Sequence, residues 1–147
     1  DQDVYHQLGG FLPGDRFYNA LFANPGHGNR YVVVKLVGQG ANASAVGARI
    51  RVLVKTPDGA TTFHRAVGCV SSFGGSPLRQ EVGLGQALEI TQIEIDWPRT
   101  NRTQTVTDVS LDSMIEIVQG KTGFRQLEFR RITYGDIVAG DRTKIVD

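Results

Sequence analysis

EVGLGQALEITQIEIDWPRT, residues 81–100, is the stretch whose reading decides the fold. Within it Ile93, Ile95 and Trp97 alternate with Gln92, Glu94 and Asp96. A period of two sets an apolar row on one face of a β-strand and a polar row on the other. Pro98 has no N–H to give to a ladder and closes the strand. Ahead of the run, Gly83 and Gly85 supply the backbone freedom for a tight turn into it. Trp97 is expected to cover one end of the core with its large apolar area.

The same pattern recurs outward from this strand. RYVVVKLVG, residues 30–38, is continuously apolar around Val33 and Val34, as a strand covered on both faces would be. In GARIRVLVKT, residues 47–56, Ile50, Val52 and Val54 alternate with Arg49, Arg51, Leu53 and Lys55, which marks a half-buried strand. Pro57-Asp58-Gly59 then combines a preset φ with a glycine free to take positive φ, so Ala60 to Val67 should return antiparallel as a hairpin. TQTVTDV and SMIEIVQG, separated by a Ser-Leu-Asp turn, add two more runs. Strands are therefore expected at 30–38, 47–55, 60–67, 90–97 and 113–118. Such a series, with no segment keeping a helical period, predicts an all-β class: a predominantly antiparallel β-sandwich, Ig-like or jelly-roll-like.

The ends differ from this middle. Residues 1–29 are dense in Gly, Pro and Asn and read as an irregular N-terminal lead-in with at most one helical turn around Phe17 to Phe22. The expected organisation is a connector at 1–23, a β domain at 24–120 and a C-terminal extension at 121–147, the last giving one edge strand and then a frayed tail.

Length and composition bound the rest. The 147 residues suit one domain with extensions. Sixteen Lys and Arg against fifteen Asp and Glu leave a formal charge of +1, so bulk electrostatics argues neither for nucleic acid nor for an anionic membrane. The lone Cys69 cannot form an internal disulfide, and no Cys/His spacing fits a structural zinc site. No apolar run approaches the roughly 20 residues of a membrane-spanning helix. DQDVYHQ lacks the parts of a signal peptide, and a start at Asp1 leads to the expectation of a piece of a longer protein.

Candidate chemistry is sparse. GQGANASAVG has glycines but is followed by a strand rather than a helix, which fits an ordinary loop better than a phosphate cradle. His6, His27 and His64 are scattered, and each reads as solvated or hydrogen-bonded rather than as part of a triad. Asp108, Asp112 and Glu116 would align on a helix, yet their surroundings are strand-like, so turn formation and solvation are their expected roles. No D-x-[DN]-x-D-G calcium loop occurs. No catalytic, metal or cofactor-binding residue is identified. Arg125, Arg130 and Arg131 interleave with Phe124, Phe129 and Tyr134, the composition of a single-strand nucleic-acid platform. An edge strand guarded by charge against aggregation is the stronger reading of the same residues. The candidate binding surface is accordingly Arg125, Phe129, Arg130, Arg131 and Tyr134. Asn42-Ala43-Ser44 and Asn101-Arg102-Thr103 are formal glycosylation sequons.

NPGHGNRYVVVKLVG, VGARIRVLV, EVGLGQA and IEIDWP, in that order, resemble the ASPIC/UnbV domain family. The residues that carry the likeness are Gly47, Ala48 and Arg49, then Gly83, Leu84 and Gly85, then Trp97 and Pro98. The chain departs from the family pattern at Glu81-Val82, where a His-Phe pair is common, and at Arg99-Thr100, where Ser-Gly is usual. PGDRFYNALFANPG is similar to the segment that joins such domains to preceding FG-GAP or VCBS propeller repeats. The resemblance implies an extracytoplasmic module, secreted or periplasmic. Its expected function is that of a non-catalytic accessory or binding module of a larger secreted protein, taking a protein or glycan ligand or packing on its own upstream propeller, without a cofactor. RNA binding, which the family's labels sometimes state, is the alternative, and an enzyme site completed by a missing domain is the second alternative.

Overall fold

Ten strands and no helix make up the regular structure of residues 2–10, 14, 17–40, 42–70, 75–100 and 102–129, which a computed structural model describes. In the lead-in, β1 (Val4–His6) and β2 (Ala20–Phe22) pair antiparallel, with Tyr5 opposite Leu21. The helical turn expected near Phe17 to Phe22 is thus replaced at its C-terminal end by a strand. One isolated turn of helix fixes several dihedrals for a single hydrogen bond. The ladder satisfies more backbone, and the Asn19 side chain reinforces it by accepting from Leu8 N–H at 3.1 Å and donating to the Tyr5 hydroxyl at 2.6 Å.

Residues Gly28–Phe129 form one compact unit. Its strands are β3 (Arg30–Val37), β4 (Arg49–Thr56), β5 (Gly59–Ala66), β6 (Gln80–Gly85), β7 (Glu89–Asp96), β8 (Thr103–Val106), β9 (Ser113–Val118) and β10 (Arg125–Leu127). They form two four-stranded sheets, ordered β10-β9-β3-β6 and β5-β4-β7-β8. This is an all-β sandwich. Val32, Val34, Leu36, Val82, Leu84, Ile115 and Ile117 from the first sheet share one buried cluster with Ile50, Val52, Val54, Ile93, Ile95 and Trp97 from the second. Val33, on the opposite face of β3, is buried as well, which accounts for the unbroken apolar run there.

The β4–β5 hairpin has the register its turn chemistry requires, with Thr56 opposite Gly59. Gly59 adopts φ 126°, and the Thr56 hydroxyl donates to Gly59 O at 2.9 Å. Three features go beyond the sequence reading. The glycine-spaced segment before Gly85 is itself a strand, β6, in which Val82 and Leu84 point inward and only Gly85 takes positive φ, at 57°. β7 is irregular opposite Leu53 and Val54, where Thr91 falls out of register, so Ile90 and Ile93 are both buried although three residues apart. Finally, β3 and β9 run parallel, Val34 pairing with Ile115, in an otherwise antiparallel arrangement. A parallel pair needs a long crossover, and here β4 to β8 lie within it.

Asp112 fixes where that parallel pairing starts. It turns the chain into β9 at φ 57°, a left-handed conformation that Asp tolerates. Its carboxylate accepts from Tyr31 N–H at 3.1 Å and Arg30 Nε at 2.7 Å, and its own N–H donates to Tyr31 O at 2.8 Å.

Trp97 is only 5% exposed and belongs to the central cluster, whereas Glu94 faces outward and binds Arg51 Nε at 2.7 Å. Trp97→Ala should cost about 3–5 kcal/mol, a large part of a stability of roughly 5–15 kcal/mol. Glu94→Ala should shift the denaturant midpoint far less. Equal midpoints for the two variants would contradict the assigned register.

Candidate functional site

Of the five residues proposed as a binding surface, Arg125 and Phe129 fall within the described structure, and Arg130, Arg131 and Tyr134 lie outside the described residues. Arg125 sits on β10 opposite Glu116, and its Nη2 donates to Glu116 Oε1 at 2.8 Å. Lys35, opposite Glu116 on β3, reaches the other carboxylate oxygen at 2.9 Å. Glu116 is 11% exposed, and the hydrogen bonds from Lys35 and Arg125 hold its carboxyl below the usual carboxylate value against the desolvation that would raise it. The positive charge of Arg125 is therefore met within the protein. Phe129 is half exposed and packs edge-to-face on Tyr31, ring centroids 6.1 Å apart at 68°.

The motif residues have structural partners. Gly47 adopts φ 89°, and a Cβ placed there would lie 3.5 Å from Pro98 Cγ, so the Gly-Ala-Arg and Trp-Pro motifs meet side by side. Gly47 N–H donates to Val67 O at 2.8 Å, Val67 N–H donates to Ala48 O at 2.9 Å, and Ala48 is fully buried. Arg49 opens β4 as an exposed residue. Leu84 is fully buried between Gly83 and Gly85. After Pro98 the chain turns through Arg99 at φ 58°, a conformation costly for Arg, and Thr100 donates its hydroxyl to Trp97 O at 3.0 Å.

Trp97 also borders a cleft that sequence reasoning missed. Its volume is about 330 Å³, and it is walled by Trp97, Thr100, the segment 102–105 and the turn 119–122. Gln104 holds these pieces together. Its Oε1 accepts from Trp97 Nε1 at 2.9 Å and from Gly120 N–H at 3.0 Å. Its Nε2 donates to Val118 O at 3.1 Å and Lys121 O at 2.8 Å. All four hydrogen-bonding capacities of the amide are used, tying β8 of one sheet to the end of β9 in the other. The only sequence signal was two polar runs, RTQT and QGKT, separated by 13 residues that the fold brings back together.

Among the described residues the lining contains hydroxyls, amides, one guanidinium and one ammonium, and no His, Cys, Ser, Asp or Glu. Elsewhere, His6 lies on β1 and His64 on the exposed strand β5. Asp108, in the loop after β8, and Asp112, in the turn before β9, adopt positive φ while Glu116 is on a strand, so their spacing of four does not bring them onto one face of a helix. Among the described residues no group of three or more His, Cys, Asp or Glu is placed to hold a metal ion, and no helix is long and apolar enough to cross a membrane. In the sequon at Asn42, the nitrogen that would carry a glycan donates to Val46 O at 2.9 Å.

The family model described as ASPIC and UnbV matches residues 38–123, more than half of the chain. The match takes in every residue lining the cleft and ends before Arg125. Comparison with curated proteins yields no match.

The ion cluster generates a pH prediction. Because the folded-state value of Glu116 is lowered, its contribution is complete above the ordinary glutamate value of about 4.3 and is lost as pH falls through the lowered one. Pairs of this kind contribute roughly 0.2–1 kcal/mol each. Glu116→Gln should therefore be less stable than the parent near pH 7 in urea melts, and the gap should close only in acid. A gap that stays constant down to pH 2 would remove the ion pairs as its cause.

Proposed function

The chain belongs to the ASPIC and UnbV family, and from that starting point we propose that it is a non-catalytic binding or accessory module of a larger extracytoplasmic protein, with a protein or glycan as ligand. The observation that carries this reading is the cleft beside Trp97. Its walls are fixed by the four hydrogen bonds of Gln104, and it presents hydroxyl, amide and cationic donors beside the mostly buried Trp97. A rigid concavity with a few fixed polar groups is the geometry of a recognition site. Nucleophilic and general acid–base chemistry draws most often on Ser, Cys, His, Asp or Glu, with Thr and Lys also able to serve, and among the described residues the lining supplies only the last two. The family pattern in its motifs supports the reading of the module as part of a secreted or periplasmic protein.

RNA binding stands behind this reading. A single-strand platform needs cations free to meet phosphates beside exposed aromatics, and Arg125 is engaged with Glu116.

Glycan and protein arrays, run beside a broad hydrolase panel and an RNA-retention assay at low ionic strength, test the proposal. The expected result is retention of a glycan or protein ligand without turnover. Robust turnover of any substrate would overturn the non-catalytic reading, and RNA retention that falls steeply with salt would replace it with the alternative.

A further inference from the structure

Resting on the glycan branch of that reading, we propose that the cleft beside Trp97 binds one acidic sugar residue, its carboxylate recognised by Arg102 and Lys121 and its hydroxyls by the neighbouring polar side chains. Several lining groups are already committed within the protein. The Thr100 hydroxyl bonds Trp97 O, the Thr103 hydroxyl donates to Asp96 at 2.7 Å, and Gln104 is fully used. Gln119 spends its carbonyl oxygen on Gln39 N–H at 2.8 Å, which leaves its NH₂ group. Among the described residues, no side-chain hydrogen bond or ion pair engages Arg102, Lys121, Thr105 or Thr122.

The unspent groups are two cations, two hydroxyls and an amide. With no carboxylate among the described lining residues, the two positive charges favour an anion. Arg adds a planar fork that matches a carboxylate, and Lys adds a point charge. The remaining donors and acceptors suit a ligand with several hydroxyls. The exposed surface of the lining is mostly apolar and is contributed by residues that include the 5%-exposed Trp97, four threonines, Arg102 and Lys121. A pyranose ring has this same division, with C–H faces and hydroxyl edges. The volume of about 330 Å³ lies at the small end of the roughly 300–1,000 Å³ typical of ligand sites, which suits one sugar ring rather than a long oligomer. A bare inorganic anion would leave the apolar walls unused.

Trp97 is the single tryptophan of the chain, so its fluorescence reports on this cleft without labelling. The intact chain is titrated with a uronic-acid trisaccharide, its neutral counterpart, inorganic sulfate and an acidic tripeptide. A saturable change with the uronic acid, at least about tenfold tighter than with the neutral sugar, is expected. Arg102→Ala and Lys121→Ala should each weaken it by about tenfold or more at an unchanged melting temperature, and Lys121→Arg should restore most of it.

Equal affinity for the neutral sugar overturns recognition of the acid. Equal affinity for sulfate or the peptide overturns recognition of the sugar. Uronate binding that ignores both substitutions overturns the location. Silence of Trp97 toward every probe while the arrays detect a glycan or protein ligand overturns this site and leaves the broader binding role standing. Silence in both sinks the two together.

Discussion

The side-chain amide of Gln104 is the point on which one end of the sandwich depends. An unmade hydrogen bond at a partly buried amide costs more than a made one contributes, so the site tolerates Gln104 only because all four of its bonds are formed. Those bonds couple three things that would otherwise be independent: the orientation of the Trp97 indole, the conformation of the turn at Gly120 and Lys121, and the approach of β8 to the end of β9. Gly120 and Gly123 both adopt positive φ, near 72° and 75°, and between them Lys121 N–H donates to Val118 O at 3.1 Å while Lys121 O accepts from Gln104.

The opposite end is held by different means. Asp112 clamps the start of β9 to β3 through Arg30 and Tyr31, and so sets the parallel register that places Ile115 and Ile117 beside Val34 and Leu36. A slip of one residue would turn those side chains out of the core and expose the alternate set. The layer of valine and isoleucine between the sheets supplies the cohesion, and the two polar clamps specify which way the sheets meet.

How much of this was legible in the sequence follows from how local each signal is. The alternation of Ile93, Ile95 and Trp97, and the Pro57-Asp58-Gly59 turn, are properties of a few adjacent residues and correspond to the observed burial and pairing. Ile90 was hidden because the irregularity at Thr91 breaks the period of two that the reading relied on. β6 was read as a turn because its glycines mask an inward-facing Val82 and Leu84. The parallel partner of β3 lies some eighty positions away, and periodicity carries no information about pairing at that distance. The site was least visible. Gln104 is unremarkable among polar neighbours, and its partners at Val118, Gly120 and Lys121 come near only once both sheets have formed. The Arg-aromatic tail was the more conspicuous pattern, yet Arg125 is engaged with Glu116.

The clamp is tested most directly by native-state hydrogen exchange at two protons, the Trp97 indole N–H and the Gly120 amide, in the parent protein and in Gln104→Ala. If Gln104 holds this end together, both protons are protected in the parent and both lose protection in the variant, while the amides of Ile93 and Ile95 on β7 remain slow. Exchange of Gly120 at the rate of a free loop in the parent protein, or unchanged protection of both protons without Gln104, would contradict the account.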